Sequence, residues 1–542
     1  MIGRRNGVIG LIVFLGGISH PYAQDNLDDR VEELVRESAL RVGQAPQSRR
    51  FDLTLDDAIQ RALNRNLDIA VDRINPLVVD LTLAQQQAFY RPTVSFDYNT
   101  TSVTTPSSTQ LDGGIFTVTD QATYDTAFDQ PVMWGGGRLN VGFNNSRRES
   151  SSFFQSFNPS FSTTFSASYT QPLLRGFKTD NNRQQIQVTR INREISDVDL
   201  RQTITNTVAD VRNAYWELLY TVASVAVQQQ ALELAEQLVR DNRARVEIGT
   251  LAPIDIVQAQ SEAAARRQTL AAAQQALGSA ELILKRLIVA GTQDELWTAE
   301  LNPVDQPQLS QPPVDIEAAI RNALVGRTDL KRAERQQDIN ELNVRGLKNT
   351  TLPALDLTGR YQLQGQGGDL LIRSGFLGGP VDEIIKGGYT DALNQIANAD
   401  FPLWSVGLQL TYPLGTSADE AALERARLQV RQTEAQLRQL ELNVATEVTN
   451  AALQLTSIQE RITAATAARD FAEQQLSAEE SRFEVGLAIN FFVVQAQRDL
   501  ATAQETELRA ILDYQLALIK FERVQQTSLG GAGISIVGGG GG

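Results

Sequence analysis

The chain has 542 residues, with 49 Lys+Arg against 64 Asp+Glu, one His and no Cys. An acidic chain without clustered cations is a poor partner for nucleic acid, because phosphate contact needs them. The lack of Cys removes disulfides, thiolate nucleophiles and Cys-based zinc sites. The single His20 lies in a segment that reads as a removable leader, which leaves no Ser-His or Cys-His pair and no imidazole for a transition metal. Carboxylate chemistry alone survives as a catalytic option, so a non-enzymatic protein without a cofactor is expected.

Residues 1–23 have a signal-peptide layout. Arg4 and Arg5 precede the apolar run Val8 to Ile18, which is too short to span a bilayer, and small or polar residues follow through Ser19 and Ala23. Removal of this leader makes the net charge two units more negative. No Cys follows the run, so no N-terminal lipid anchor is expected. No later segment reaches the roughly 18 continuous apolar residues of a membrane helix. The chain is therefore exported, and it is either soluble beyond the inner membrane or enters a membrane as strands. Residues 24–50 read as a polar lead-in.

The rest is two copies of one plan. Ala58-Ile59, Ala62-Leu63, Asp68-Ile69 and Pro92 recur 261 residues later as Ala319-Ile320, Ala323-Leu324, Asp329-Leu330 and Pro353. Tyr169-Thr-Gln-Pro-Leu173 is matched by Leu410-Thr-Tyr-Pro-Leu414. Val211, Asn213, Ala214 and Leu218 return as Val448, Asn450, Ala451 and Leu455. Arg245, Glu247, Gly249 and Gln258-Ala-Gln260 return as Arg482, Glu484, Gly486 and Gln495-Ala-Gln497. The copies span residues 51–290 and 314–527, parted by a Pro-rich linker at 291–313, and 528–542 form a Gly-rich tail.

Each copy opens with a helix of about 35 residues, near Leu55 to Tyr90 in the first. Strands follow, at about 93–172 and 354–412. Val94, Phe96 and Tyr98 alternate with Ser95, Asp97 and Asn99. Phe161 to Tyr169, Leu355 to Leu363 and Trp404 to Tyr412 alternate in the same way. Such ten-residue, period-two segments fit the lipid and lumen faces of an outer-membrane barrel, and equally a sandwich with one wet face. Ala122 to Phe128 and Leu139 to Asn145, flanking Gly135-Gly-Gly137, would raise the strand count from four to six. Neither number closes a barrel alone, so strands must be pooled across subunits.

Helical hairpins at about 183–288 and 420–523 complete the copies. Long helices run from about Arg183 to Glu247 and from about Ala421 to Glu484. Each turns at a glycine and returns to about Ile288 and Arg523. Ile256, Ala263, Leu270, Leu277 and Leu284 are seven apart, as are Leu423, Val430, Leu437, Val444, Ala451, Ile458, Ala465 and Ala472; a seven-residue repeat means coiled-coil packing. Two half-length helices end to end would line each full-length one.

The repeated opening motif, Tyr169-Thr-Gln-Pro-Leu-Leu-Arg-Gly176, Val208-Ala-Asp-Val-Arg-Asn-Ala-Tyr-Trp-Glu-Leu218 and the two Gly-turn-Gln-Ala-Gln segments together resemble the TolC-like outer-membrane efflux family, over about Leu53 to Thr527. The resemblance implies an α+β membrane protein. It would be a homotrimer whose twelve-stranded barrel, four strands per chain, continues as a hollow periplasmic α-barrel in the outer membrane of a Gram-negative cell. It implies a passive exit duct serving an inner-membrane pump and a periplasmic adaptor. Six strands per chain would depart from that pattern and give about eighteen in a trimer.

The same resemblance places adaptor docking at the helix tips, here Gly249, Thr250, Leu251, Gly486 and Leu487, and the gate at Asp255, Phe491, Phe492 and Gln495. Asp255 matches an acidic tether, but its Arg partner is replaced by Ala488, and a family acidic ring is replaced by Phe492 and Gln495. A constriction that closes by dewetting at Phe491 or Phe492 fits these changes; ordinary packing between helices near the tip fits Phe491 better and Phe492 equally well. Asp255 equally fits a carboxylate stabilising a helix N-terminus. A non-channel coiled-coil envelope protein and an exported carboxylate hydrolase are the competing readings; no segment suggests the paired-carboxylate cleft the latter needs. Cargo, whether drugs, metals or proteins, is not written in the chain.

Overall fold

The computed structural model describes residues 50–107, 115–307, 314–374, 379–415 and 417–527. The signal peptide, nearly all of the lead-in, the linker residues 308–313 and the Gly-rich tail lie outside the described residues.

In both copies the opening helix is two helices. α1 (Leu55–Arg65) is capped by Thr54, which accepts from the Asp57 amide, and carries Asp56 and Asp57 in its first turn. Both features favour a helix N-terminus. At Asn66 the backbone turns extended, and the Asn66 side chain accepts from Asp68 and Ile69 to start α2 (Leu67–Ala88). The second copy breaks at Arg327, between α6 (Ile316–Gly326) and α7 (Thr328–Thr350). The break sits 261 residues after the first, the same shift as the sequence repeat. A single 35-residue helix was expected; an extended residue at the equivalent position, Asn66 or Arg327, interrupts it in each copy, and only Asn66 caps the next helix with its side chain.

The long helices α3 (Asn181–Glu247) and α9 (Ala418–Glu484) are each 67 residues, so each is about 100 Å long. Asp180 caps the first, and a Ser417–Glu420 capping box opens the second. The returning helices are α4 (Pro253–Ile288) and α10 (Asn490–Val524). The seven-residue seams are at their contacts: Ala263, Leu270 and Leu284 are buried on α4, and Leu423, Val444, Ala451, Ile458 and Ala465 on α9. Four helices stand side by side at every height. Nearer the sheet they are α2, α3, α7 and α9; nearer the tips they are α4, α3, α10 and α9. The half-length helices meet end to end, with Asn66 Nδ2 donating to the Leu287 carbonyl at 3.0 Å and Gly326 packed on the Gln525 carbonyl.

At that mid-height joint lies the largest apolar cluster, which includes Leu53, Leu218, Leu284, Ile288 and Leu301. The Pro-rich linker contributes to it, which its lack of period did not reveal. A short helix α5 (Glu295–Thr298) leads to β6 (Glu300–Pro303), which pairs in parallel with β1 (Arg50–Leu53). Tyr215, fully buried, donates to Asp305 Oδ2 at 2.6 Å, and the same oxygen accepts from the Leu55 amide at 2.7 Å. Burial and the Asp305 carboxylate push the Tyr215 hydroxyl well above its ordinary range, so it serves as a neutral donor.

Among the described residues the sheet has six long strands. β2 (Thr93–Pro106), β3 (Phe116–Pro131), β4 (Arg138–Ser150), β5 (Phe157–Pro172), β7 (Ala354–Arg373) and β9 (Pro402–Thr411) follow one another, each antiparallel to the next. A short β8 (Val381–Ile385) shares the outer edge of β7 with β9, pairing Leu370–Arg373 while β9 pairs Ala354–Leu363. Between them sits α8 (Tyr389–Ala397), an element without a sequence signal. Gln395 fills the gap by accepting from the Gln366 amide and donating to its carbonyl. Gly365 and Gly367 form the helix seat; a Cβ at either would fall 2.1 Å from the carbonyl oxygen of Ala392 or Gly388.

Replacing Tyr215 by Phe keeps the ring but leaves Asp305 without one donor. We expect a loss of about 1–3 kcal/mol at the joint, read as faster amide exchange in β1 and β6.

Candidate functional site at the helix tips

The two tips are built by the same local chemistry. Gly249 and Gly486 end α3 and α9 with φ of +80° and +76°. In the first tip the Gly249 amide donates to Val246 at 3.0 Å and the Thr250 amide to Arg245 at 2.9 Å. In the second, Gly486 donates to Phe483 at 3.2 Å and Leu487 to Arg482 at 2.8 Å. This left-handed cap satisfies the last helix carbonyls and favours glycine at the turning position. Open space surrounds both glycines, and Leu487 is 82% exposed, so the turns project.

Behind the turns, Leu238, Ala259, Leu476, Phe483, Val493 and Val494 form one apolar cluster joining both copies. Phe491 and Phe492 stay outside it, 56% and 51% exposed, and meet each other edge to face at 5.9 Å. Gln495 is exposed and donates to Asp499 at 2.8 Å. Asp255 lies in the first turn of α4, where a carboxylate favours the helix dipole, and among the described residues it makes no ion pair. Ala488 packs against the apolar cluster. The predicted residues thus share the tip, but the structure does not join Asp255 to the others by a charged contact.

The charged tie is elsewhere. Glu262 on α4 is 4% exposed; its Oε1 accepts from Arg266 Nε at 2.8 Å and its Oε2 from Arg498 Nε of α10 at 2.9 Å. Burial raises the Glu262 carboxyl, and the two guanidiniums more than reverse that, so it rests below its ordinary value. Two further contacts cross between copies. Arg245 donates to the Phe483 carbonyl at 3.0 Å and covers the Phe483 ring at 4.4 Å. Asn242, fully buried, donates to Asn490 at 3.0 Å. The tie has a faint sequence signal, since Glu262 falls on the Ala259–Ala263–Leu270 stripe. Its Arg498 partner, 236 residues away, has none.

Among the described residues, no group of three or more acidic or His side chains is arranged to hold a metal, and no helix is long and apolar enough to cross a membrane. The model of the outer membrane efflux protein family matches residues 138–289 and 319–524, about two thirds of the chain. The chain belongs to this family. It is a family of outer-membrane channel proteins and not one of enzymes. No curated protein matches the sequence. In fold the chain is similar to the outer-membrane channel OprN (TM-score 0.62, 17% identity, covering 87% of this chain and 89% of that one). It is also similar to the Campylobacter jejuni CmeC outer membrane channel (0.62, 13%, 89% and 87%). The Vibrio cholerae outer membrane protein VceC is a third (0.60, 15%, 87% and 95%). The chain has the fold of these TolC-like channels.

Glu262→Gln removes the charge that both arginines bind. We expect amides of α10 near Val493 to Leu500 to exchange about 10–100-fold faster, the equivalent of about 1.5–3 kcal/mol. Because the native carboxyl titrates below its ordinary value, the tie is whole above that ordinary range and is lost as pH falls through the native value. Acidification of the unmutated chain should therefore loosen the same amides.

Proposed function

We propose that this chain is the outer-membrane exit duct of a tripartite efflux or secretion system, working as a homotrimer. It would receive cargo from an inner-membrane pump through a periplasmic adaptor and conduct it passively. One observation carries the reading: the first and last strands of the sheet, β2 and β9, are exposed along their whole length. Their outer edges have no partner among the described residues.

The alternation across the sheet supports it. On one face Phe96, Phe143, Phe165 and Leu363 stand level across the strands, with the Leu357–Leu408 pair further along the same face; the other face carries Asp97, Asn144, Thr164 and Gln364 at one level, with Thr358 and Gln409 further along. An apolar outside and polar inside is the pattern of a barrel in lipid. With an even number of strands, a second copy's β2 meets β9 antiparallel, so repetition of the chain can close the sheet. The helices carry matching unfinished seams. Leu67, Val71, Ile74, Val78 and Leu81 on α2 are exposed at alternating steps of four and three, and Leu428 and Leu442 are exposed on α9. These are the two outer helices of the four-helix wall, where a neighbouring copy would pack.

In this reading Gly249, Thr250, Leu251, Gly486 and Leu487 dock the adaptor. Phe491 and Phe492 narrow the duct, with Asp255 and Gln495 beside them, and the Glu262–Arg498 tie holds the two hairpins together. The leader residues 1–23 would deliver the chain to the outer membrane, with the helices extending into the periplasm. Cargo is chosen upstream, by the pump.

Leu408→Arg places a cation on the lipid face and should cost about 2–4 kcal/mol, abolishing the heat-modifiable trimer band. Gln409→Arg, one residue along on the polar face, should assemble and conduct. Equal tolerance of both, or no single-channel current from the assembled chain, would sink the reading in favour of a non-channel envelope protein. For the tips, Phe492→Ala should raise the closed-state leak; an unchanged leak removes Phe492 from the constriction.

A further inference from the structure

The open edges of β2 and β9 carry a register as well as a need for a partner. Thr93, the first residue of β2, pairs with Asp129, and the same row runs on through Asn140, Ser168 and Arg360 to Ser405. Thr93 is at the foot of β2, whereas Ser405 stands six residues above the foot of β9 at Thr411. A row of paired residues therefore climbs six residues while it crosses five interfaces. With residues about 3.4 Å apart along a strand and strands about 4.8 Å apart, that slope is a strand tilt of about 40°. Closed barrels have strands tilted by about 35–45°.

A second copy must continue the row, and its choices are few. A shift by one residue turns every side chain to the other face. Hydrogen-bonded and non-bonded pairs also alternate along each strand and across the sheet, so with six long strands the phase returns only at even shifts. A climb of six residues per chain puts Asn99 of the next copy opposite Ser405 and gives a tilt of about 35°. A climb of eight puts Thr101 there and gives about 43°, while ten gives about 50° and leaves the barrel range. The tilt depends on the climb per chain, whatever the number of chains.

The polar face decides between six and eight. Asp97 stands opposite Asp125 within its own chain. Asp125 accepts from the Asn145 amide at 3.0 Å, while Asp97 has no donor among the described residues. A climb of eight sets the Gln409 carboxamide of one copy opposite Asp97 of the next, a favourable cross-strand pair. A climb of six sets Gly407 there, which has no side chain to donate. Val103 and Leu403 are apolar residues on this polar face, 44% and 47% exposed. Eight pairs them with each other, whereas six leaves Leu403 opposite Thr101. The lipid face accepts both registers, since Phe96 meets Leu410 in one and Leu408 in the other.

We infer that a second copy of the chain docks its β2 on β9 in a single register, with Thr101 opposite Ser405, Asn99 opposite Gly407 and Asp97 opposite Gln409. This rests on the assembly proposed above and fixes how its copies fit. The partner is specified by a carboxylate that lacks a donor and by two apolar side chains set on a wet face. Each seam then carries one Val103–Leu403 pair on the polar face, at the end of the strands away from the helices.

The chain has no Cys, so paired cysteines report the register directly. Asn99→Cys is combined in turn with Ser405→Cys, Gly407→Cys and Gln409→Cys in the full-length protein, oxidised mildly in the membrane and run unreduced. Within one chain these positions are five interfaces apart, about 24 Å, so a disulfide must join two chains. The inference expects covalent multimers from the Asn99–Gly407 combination. In the other two the Cα atoms lie about 8 Å apart on the diagonal, beyond the roughly 7 Å a disulfide spans, and bridging should be about tenfold slower. Thr101→Cys with Ser405→Cys reads the same register at a second level and should bridge as fast, so a folding failure of one pair leaves the other to decide. Fastest bridging from Asn99 to Ser405 or to Gln409 overturns the register and leaves the seam standing. No bridge from any combination in membrane-inserted protein overturns the β2–β9 seam, and with it the assembly proposed above.

Discussion

Backbone amides in hydrocarbon have no water to turn to, and that constraint governs this molecule. Among the described residues, five interfaces between the long strands are satisfied within one chain, and the outer edges of β2 and β9 are not. The helices repeat the same incompleteness in apolar form, through the uncovered heptad steps from Leu67 to Leu81 on α2. Strand edges and helix seams face outward at the same two ends of the chain's wall. In the proposed duct a single association would answer both needs, and the folded chain would be one segment of its wall.

Within the chain, the contact between α3 and α10 is of a different kind. It joins copy one to copy two through polar groups at intervals. Glu505 accepts from Tyr220 at 2.6 Å and from Ser224 at 3.0 Å, Arg212 reaches Glu522, and lower down Glu262 meets Arg498. Apolar seams hold each hairpin together, while between the hairpins these polar contacts alternate with the apolar clusters at mid-height and behind the tips. Polar contacts beside water cost less to part than a buried seam, since each group can be rehydrated.

Much of this was legible before any coordinates. Heptads such as Leu423 to Ala472 and glycines such as Gly249 carry a period or a backbone requirement that acts locally, and local signals can be read along a chain. Four strands were legible as alternation, and Gly135-Gly-Gly137 marked where two more could lie, which left the count open between four and six. Contacts between distant residues were not. β6 was hidden in a Pro-rich stretch because its partner, β1, lies about 250 residues earlier. α8 was hidden because its seat is two strand glycines, Gly365 and Gly367, that look unremarkable in alternation. At the tip, the glycines and phenylalanines were found, while the buried Glu262 was passed over: a carboxylate in an apolar stripe declares itself only when its guanidinium partner is placed beside it.

The two long helices have the same length, 67 residues each, although they differ in sequence almost everywhere. Equality of this kind acts as a ruler. Losing one heptad from α3 alone would withdraw its tip by about 10 Å relative to that of α9 and tilt the rim. The distance the wall covers can change only if both copies change together, by whole heptads, and with the returning helices shortened to suit. Duplication gave the chain its wall, and it also bound the two halves to a common measure of the space they cross.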